Sequence, residues 1–74
     1  MIIFTEHSLL KLRQRKISKT RVIETIKNPD YTIKSYFNRE IALKKFDKLY
    51  LKVIYKKEGK DIIIITQYFT SQFK

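Results

Sequence analysis

Apolar residues fall into seven segments separated by short polar breaks. Ile2-Ile3-Phe4 opens the chain as a short strand. Thr5 then serves as an N-cap candidate, with Glu6 in the first helical turn, where the dipole favours a carboxylate. The helix extends to about Arg15. At about 100° per residue, Leu9, Leu10, Leu12 and Ile17 fall on one side, with His7, Lys11 and Gln14 on the other. Arg13 projects among the leucines, an unexpected place for a charge. Ser18 is a second N-cap candidate, and the helix after it gathers Val22, Ile23 and Ile26 within about 100° of arc, leaving Thr20, Glu24 and Lys27 to water. Asn28-Pro29-Asp30 ends it, because proline disfavours helical geometry in the residue before it.

Everything after Pro29 reads as strand. Tyr31 to Phe37 alternates around β-branched and aromatic residues, Asn38-Arg39 reads as a turn, and Glu40 to Phe46 follows. Asp47-Lys48 is the next turn. Leu49 to Lys56 alternates most cleanly, with Leu49, Leu51, Val53 and Tyr55 on one face and Tyr50, Lys52, Ile54 and Lys56 on the other. Glu58-Gly59 supplies a hairpin turn at the only glycine. Ile62 to Phe69 closes the sheet, its solid Ile run suggesting a strand buried on both faces. Strict alternation puts Ile62, Ile64, Thr66 and Tyr68 on one side and Ile63, Ile65, Gln67 and Phe69 on the other. The order β-α-α-β-β-β-β predicts an α+β architecture, two short helices packed on one face of a four- to five-stranded antiparallel sheet. The uncovered face carries aromatic and polar side chains.

At 74 residues the chain is a single domain, 1–74, too small for a Rossmann fold, a TIM barrel or a two-domain enzyme. The 43% hydrophobic content and the five Tyr and five Phe argue against disorder. No Cys and a single His exclude disulfide frameworks, thiol nucleophiles and multi-histidine metal sites. The run Ile62 to Ile65 is far short of the about 20 residues that span a bilayer. Met1-Ile2-Ile3-Phe4 reaches Glu6 without a basic stretch, so no secretory leader is expected, and a cytoplasmic location follows.

Charge changes the picture most. Seventeen Lys and Arg against seven Asp and Glu leave +10, which attracts polyanions. Lys11, Arg13, Arg15, Lys16, Lys19 and Arg21 crowd into one stretch with no acid among them. The helices are too short for an interfacial membrane anchor, and the core needs their apolar faces, so no membrane partner is expected. Nucleic acid or an acidic partner protein is favoured, and the sheet face suits RNA, because aromatics stack bases and cations neutralise phosphate. Lys11, Arg13, Lys16, Lys52 and Tyr68 are the candidate nucleic-acid contacts.

For chemistry, His7 is the one imidazole and a candidate general acid or base. Arg13 and Arg15 are candidates to stabilise charge on a phosphate. Thr66, Gln67 and Tyr68 form a polar cluster ending an apolar strand. The carboxylates Glu6, Glu24, Asp30, Glu40, Asp47, Glu58 and Asp61 are scattered, so neither a metal site nor a cofactor is expected. Phosphodiester chemistry here would use the RNA 2′-OH as nucleophile, with side chains as acid and base.

Phe4-Thr5-Glu6-His7, then Arg13-Gln14-Arg15-Lys16-Ile17-Ser18 and a Val22, Ile23, Ile26 helix stopping at Pro29, resemble a family of small domains of unknown function. Its opening reads T-x-H-x-x-x-R-x-x-x-R-x-I-S, and Lys11 stands here in place of its first Arg. The closing Ile62-Ile63-Ile64-Ile65-Thr66-Gln67-Tyr68 resembles that family's apolar run, Thr, x, Tyr. The family is grouped with the RelE/ParE-like toxins and the barnase-like ribonuclease fold. The resemblance covers nearly the whole chain and implies a metal-independent endoribonuclease of the toxin–antitoxin kind, with an acidic antitoxin as partner. His7, Arg15 and Thr66 are the positions that carry over, followed by Arg13 and Tyr68. The alternatives are a non-catalytic RNA- or DNA-binding module and a protein-interaction domain that docks an acidic chain.

Overall fold

A computed structural model describes residues 1–71. Its elements are β1 (Ile2–Phe4), α1 (Glu6–Arg15), α2 (Lys19–Lys27), β2 (Tyr31–Lys34), β3 (Arg39–Phe46), β4 (Leu49–Glu58) and β5 (Asp61–Thr70). Both caps form as the sequence predicts. Thr5 Oγ1 accepts from the Ser8 amide at 3.1 Å, and Ser18 Oγ accepts from the Arg21 amide at 3.2 Å. Helix α1 ends on Lys16 in the left-handed region (φ 54°), and the Ile17 amide returns to the Leu12 carbonyl at 2.9 Å. That six-to-one bond is a Schellman closure, and it tucks Ile17 into the core.

The strands form one mixed sheet in the order β1-β5-β4-β3-β2. Strands β2 to β5 make the expected antiparallel meander. Strand β1 corrects the expectation of a purely antiparallel sheet, because it lies parallel to β5 with Ile2 opposite Ile62 and Phe4 opposite Ile64. The two helices and three strands that separate β1 from β5 form the long connection a parallel pair requires.

The first hairpin turns one residue earlier than Asn38-Arg39. Phe37 (φ 59°) and Asn38 (φ 61°) are its central residues, and Arg39 already belongs to β3. The Arg39 amide donates to the Tyr36 carbonyl at 3.2 Å, closing the turn.

A second correction concerns β5. Opposite Ile54 and Tyr55 the register slips, so that Ile54 faces Thr66 while Tyr55 faces Ile64, and Ile65 is the extra residue. Such a bulge inverts the alternation beyond it. Gln67 and Phe69 therefore join Ile62 and Ile64 on the face that meets the helices, while Thr66 and Tyr68 turn to the other. The core on the helix side comprises Leu12, Ile17, Val22, Ala42, Leu51, Val53, Tyr55 and Ile64, with Phe4, Leu9, Ile26 and Phe46 packed around them. Of the Ile run only Ile64 is fully buried: Ile63 faces the side with no covering layer among the described residues, and Ile62, though on the helix side, lines an open recess with Ile2, Ile23 and Ile26.

Helix α1 is rotated relative to the leucine stripe. Ser8 is fully buried and Leu10 is half exposed, and the two lie about 200° apart on a helix. A buried hydrogen-bond pair sets that rotation. Ser8 Oγ donates to Gln67 Oε1 at 2.8 Å, and Gln67 Nε2 donates to the Ser8 carbonyl at 2.9 Å. Thr5 Oγ1 adds a bond to the Ile64 carbonyl at 2.9 Å. Among the described residues no buried side-chain nitrogen or oxygen lacks a partner.

Replacing Gln67 with Leu leaves the Ser8 hydroxyl buried without its acceptor. Urea titration should show a loss of about 2 kcal/mol, and adding Ser8→Ala should restore most of it. No loss in Gln67→Leu would mean the pair does not hold α1 in place.

Tyr55 offers a pH test. Its hydroxyl donates to Glu40 Oε1 at 3.3 Å. Burial, then the Glu40 charge, then this hydrogen bond raise the phenol above its usual pKa of 10.0. A raised folded-state pKa gives stability that is complete below pH 10 and lost as pH climbs through the raised value. Tyr55→Phe should therefore be less stable than the natural chain by about 1 kcal/mol at pH 7, with the gap narrowing above pH 10 in chemical denaturation. A gap that widens there would contradict the assignment.

Candidate functional site

Both helices pack on one face of the sheet, through β5, β4 and β3. The cross-strand register lays out the other face in rows. Tyr31, Leu43, Lys52 and Tyr68 share one row, and Ile33, Ile41, Ile54 and Thr66 share the next. Lys45, Tyr50 and Thr70 flank the first row, while Arg39, Lys56 and Ile63 flank the second. Tyr31 and Tyr50 meet at a ring-centroid distance of 6.3 Å, tilted by 56°. Leu43 is fully buried on this side, beneath its row neighbours.

One group from the helix side reaches this face. Strand β1 stops opposite Ile64, so the later half of β5 presents a free edge, and α1 runs along it. At the end of α1, Arg15 donates from Nη1 to the Gln67 carbonyl at 2.8 Å and lies 3.5 Å from Thr66 Oγ1, the limit of hydrogen bonding. That contact occupies an edge carbonyl that would otherwise be open to a foreign strand. The Arg15 guanidinium carbon is 5.7 Å from the Tyr68 ring centroid, and Lys52 Nζ is 5.6 Å from the same centroid. Both distances fall within cation–π range. Among the described residues neither cation is in an ion pair.

The structure thus brings together four of the residues singled out in the sequence: Arg15, Thr66, Tyr68 and Lys52. His7 and Lys11 lie on the same flank of α1 as Arg15, at successive fourth positions. Lys11 Nζ donates to Gln14 Oε1 at 3.1 Å. His7 is exposed and, among the described residues, its side chain makes no hydrogen bond or ion pair, and its Cα sits about 12 Å along the helix axis from that of Arg15. Arg13 is on another flank, where it rims a shallow apolar pocket of about 370 Å³ with Leu9, Leu12, Ile17 and Lys19. It pairs with neither Glu40 nor Asp47. Glu40 lies 3.9 Å from Lys57. Lys16 caps α1 and faces Arg21 and Phe69 across a separate recess. Gln67 belongs to the core and not to the polar cluster.

Among the described residues no three His, Asp or Glu side chains gather where they could hold a metal ion. No helix among them is long and apolar enough to cross a membrane. The chemistry this surface offers is that of fixed positive charge, a phenol and a hydroxyl. The sequence signal was the set His7, Arg15 and Thr66 with Arg13 and Tyr68 after it, of which the structure gathers Arg15, Thr66 and Tyr68 and leaves His7 and Arg13 apart. The bulge that points Thr66 and Tyr68 toward Arg15 had no signal, because the extra residue is one Ile in a run of four.

No curated protein and no solved structure matches the chain. A family model does, that of a domain of unknown function, DUF4258, over residues 4–69. The matched span runs from the last residue of β1 to the penultimate residue of β5, and so takes in Arg15, Lys52, Thr66 and Tyr68. On that match the chain belongs to the DUF4258 family.

Proposed function

We propose that the chain binds single-stranded RNA across the open face of its sheet, with Arg15, Lys52, Thr66 and Tyr68 at the centre of contact. The observation that carries this reading is the Tyr68 ring flanked by two cations at 5.7 and 5.6 Å, neither engaged by a carboxylate among the described residues. Cations with no carboxylate partner release counterions when phosphate arrives, and partly exposed rings offer stacking area to unpaired bases. A pleated face with a basic row suits flexible single strands better than a duplex, whose major groove calls for an inserted helix or ribbon.

A second reading, cleavage, draws on the adjacency of Arg15 and Tyr68 and on the resemblance to RelE-like toxins. In that reaction the 2′-OH attacks the neighbouring phosphorus, the 5′-oxygen leaves, and a 2′,3′-cyclic phosphate remains. Arg15 would stabilise the charge on the phosphorane, and Thr66 would position the phosphate. One group must take the 2′-OH proton and another must return a proton to the 5′-oxygen, the roles open to His7 and Tyr68. An acidic antitoxin covering the same basic face would inhibit it.

Arg15→Ala combined with Lys52→Ala should weaken binding to an unstructured RNA about tenfold or more, and should lower the salt slope by about 2. Arg13→Ala with Lys16→Ala removes the same charge from other flanks and should cost much less. Equal losses from the two pairs would show that net charge alone matters and would remove the site. For cleavage, RNA incubated in EDTA should yield cyclic-phosphate ends that vanish in Arg15→Ala and fall in His7→Ala. RNA left intact under binding conditions would eliminate the second reading and leave the first.

A further inference from the structure

The tip of the β2–β3 hairpin bears two aromatic side chains with almost no cover. Tyr36 is 83% exposed and Phe37 is 89% exposed, the two most exposed aromatics among the described residues. Phe37 also occupies a backbone conformation unfavourable to it. The turn needs positive φ at both central positions, and these favour Asn or Gly. Asn38 meets that demand at φ 61°, whereas Phe37 is a bulky residue at φ 59°. The strain yields no packing in return, since the ring points into solvent. The tip is nevertheless fixed, for the Ser35 amide donates to the Arg39 carbonyl at 2.9 Å and the Arg39 amide donates to Tyr36. An aromatic ring held out in a strained, ordered turn is where stored strain suggests a ligand contact.

The chemistry at the base of the tip narrows that ligand. A polar cleft of about 330 Å³ is lined by Lys34, Ser35, Asn38, Arg39, Glu40 and Lys57. Glu40 is already engaged, accepting from the Tyr55 hydroxyl and lying 3.9 Å from Lys57. Lys34 and Arg39 are in no ion pair among the described residues. The Tyr36 and Phe37 rings, the Lys34 and Arg39 cations and the Asn38 amide and Ser35 hydroxyl offer partners for the base, the phosphate and the sugar of one nucleotide. An anionic lipid surface would use the rings and cations but leave the polar lining without a role.

From this arrangement we infer that the hairpin tip is a second nucleotide-binding point, where Phe37 and Tyr36 stack on an unpaired base and Lys34 and Arg39 meet its phosphates. The inference rests on the RNA-binding reading above and adds to it a base-contacting element about 14 Å across the sheet from β5, given strands about 4.8 Å apart. A single RNA strand would run from Tyr68 over the Ile54, Ile41 and Ile33 row to Arg39, and then over the tip to Lys34, which lies opposite Glu40 in the register, on the sheet's other face.

The chain contains no Trp, so Phe37→Trp supplies a unique fluorophore there. Its emission should be quenched by an oligouridylate of about 12 nucleotides and should be unchanged by inorganic polyphosphate, which has charge but no bases. Phe37→Gly should lower affinity for the same oligonucleotide about tenfold without lowering Tm, because glycine adopts this φ freely. RNA that binds with salt-dependent affinity yet leaves the Phe37→Trp emission and the Phe37→Gly affinity unchanged would overturn the tip contact and leave the Tyr68 centre standing. Absence of any RNA binding would overturn both. A blue shift on anionic phosphatidylglycerol vesicles without quenching by RNA would assign the tip to a membrane surface instead.

Discussion

One extra residue in β5 governs which side chains the end of that strand offers to each face. Without the bulge at Ile65, Thr66 and Tyr68 would share the helix side with Ile62 and Ile64, and Gln67 would face solvent. With it, Gln67 turns inward and meets Ser8 in two hydrogen bonds of 2.8 and 2.9 Å. Those bonds hold α1 against the free edge of β5, and α1 in turn carries Arg15 around that edge. A buried amide without partners is costly, so the bulge and the helix position are coupled, each requiring the other. The cationic Tyr68 site follows from that coupling.

The fold leaves its other sheet face uncovered and spends both helices on one side. A half-covered sheet limits the buried core, which for a chain of this length is already small. The Lys and Arg stems that cross the open face offset part of the exposure by lying over apolar rows, with their charged ends in water. Lys52 and Lys56 each sit half-buried among tyrosine and isoleucine neighbours, and Leu43 is fully covered there. The residues that cover the apolar rows of this face are thus the ones that give it positive charge.

Much of this was readable from the chain because it is local. Thr5 and Ser18 sit one residue before their helices, Pro29 stops the second, and Asp47 and Gly59 adopt the positive φ values their tight turns demand. What was not readable is relational. The Ile2–Ile62 pairing joins opposite ends of the sequence, with no turn to reveal its direction. An Ile run looks the same on either side of an inserted Ile, so alternation carries no phase through Ile62 to Ile65. Leucine spacing alone favoured Leu10 for the core, but Ser8 prevailed because its partner Gln67 lies 59 positions away. The candidate site shared this character. Its members were visible one by one, whereas the convergence of Arg15, Thr66, Tyr68 and Lys52 depended on the bulge.

The bulge-directed face is where RNA should meet the chain. An NMR titration of the isotopically labelled chain with an unstructured oligonucleotide reads this directly, through the Arg15 guanidinium, the Lys52 side chain, the Thr66 methyl and the Tyr68 ring. The largest shifts should cluster on these four groups and their row neighbours, with the α2 residues Val22 to Lys27 unchanged. Shifts centred on Arg13, Lys19 and Arg21, with Tyr68 silent, would contradict that placement.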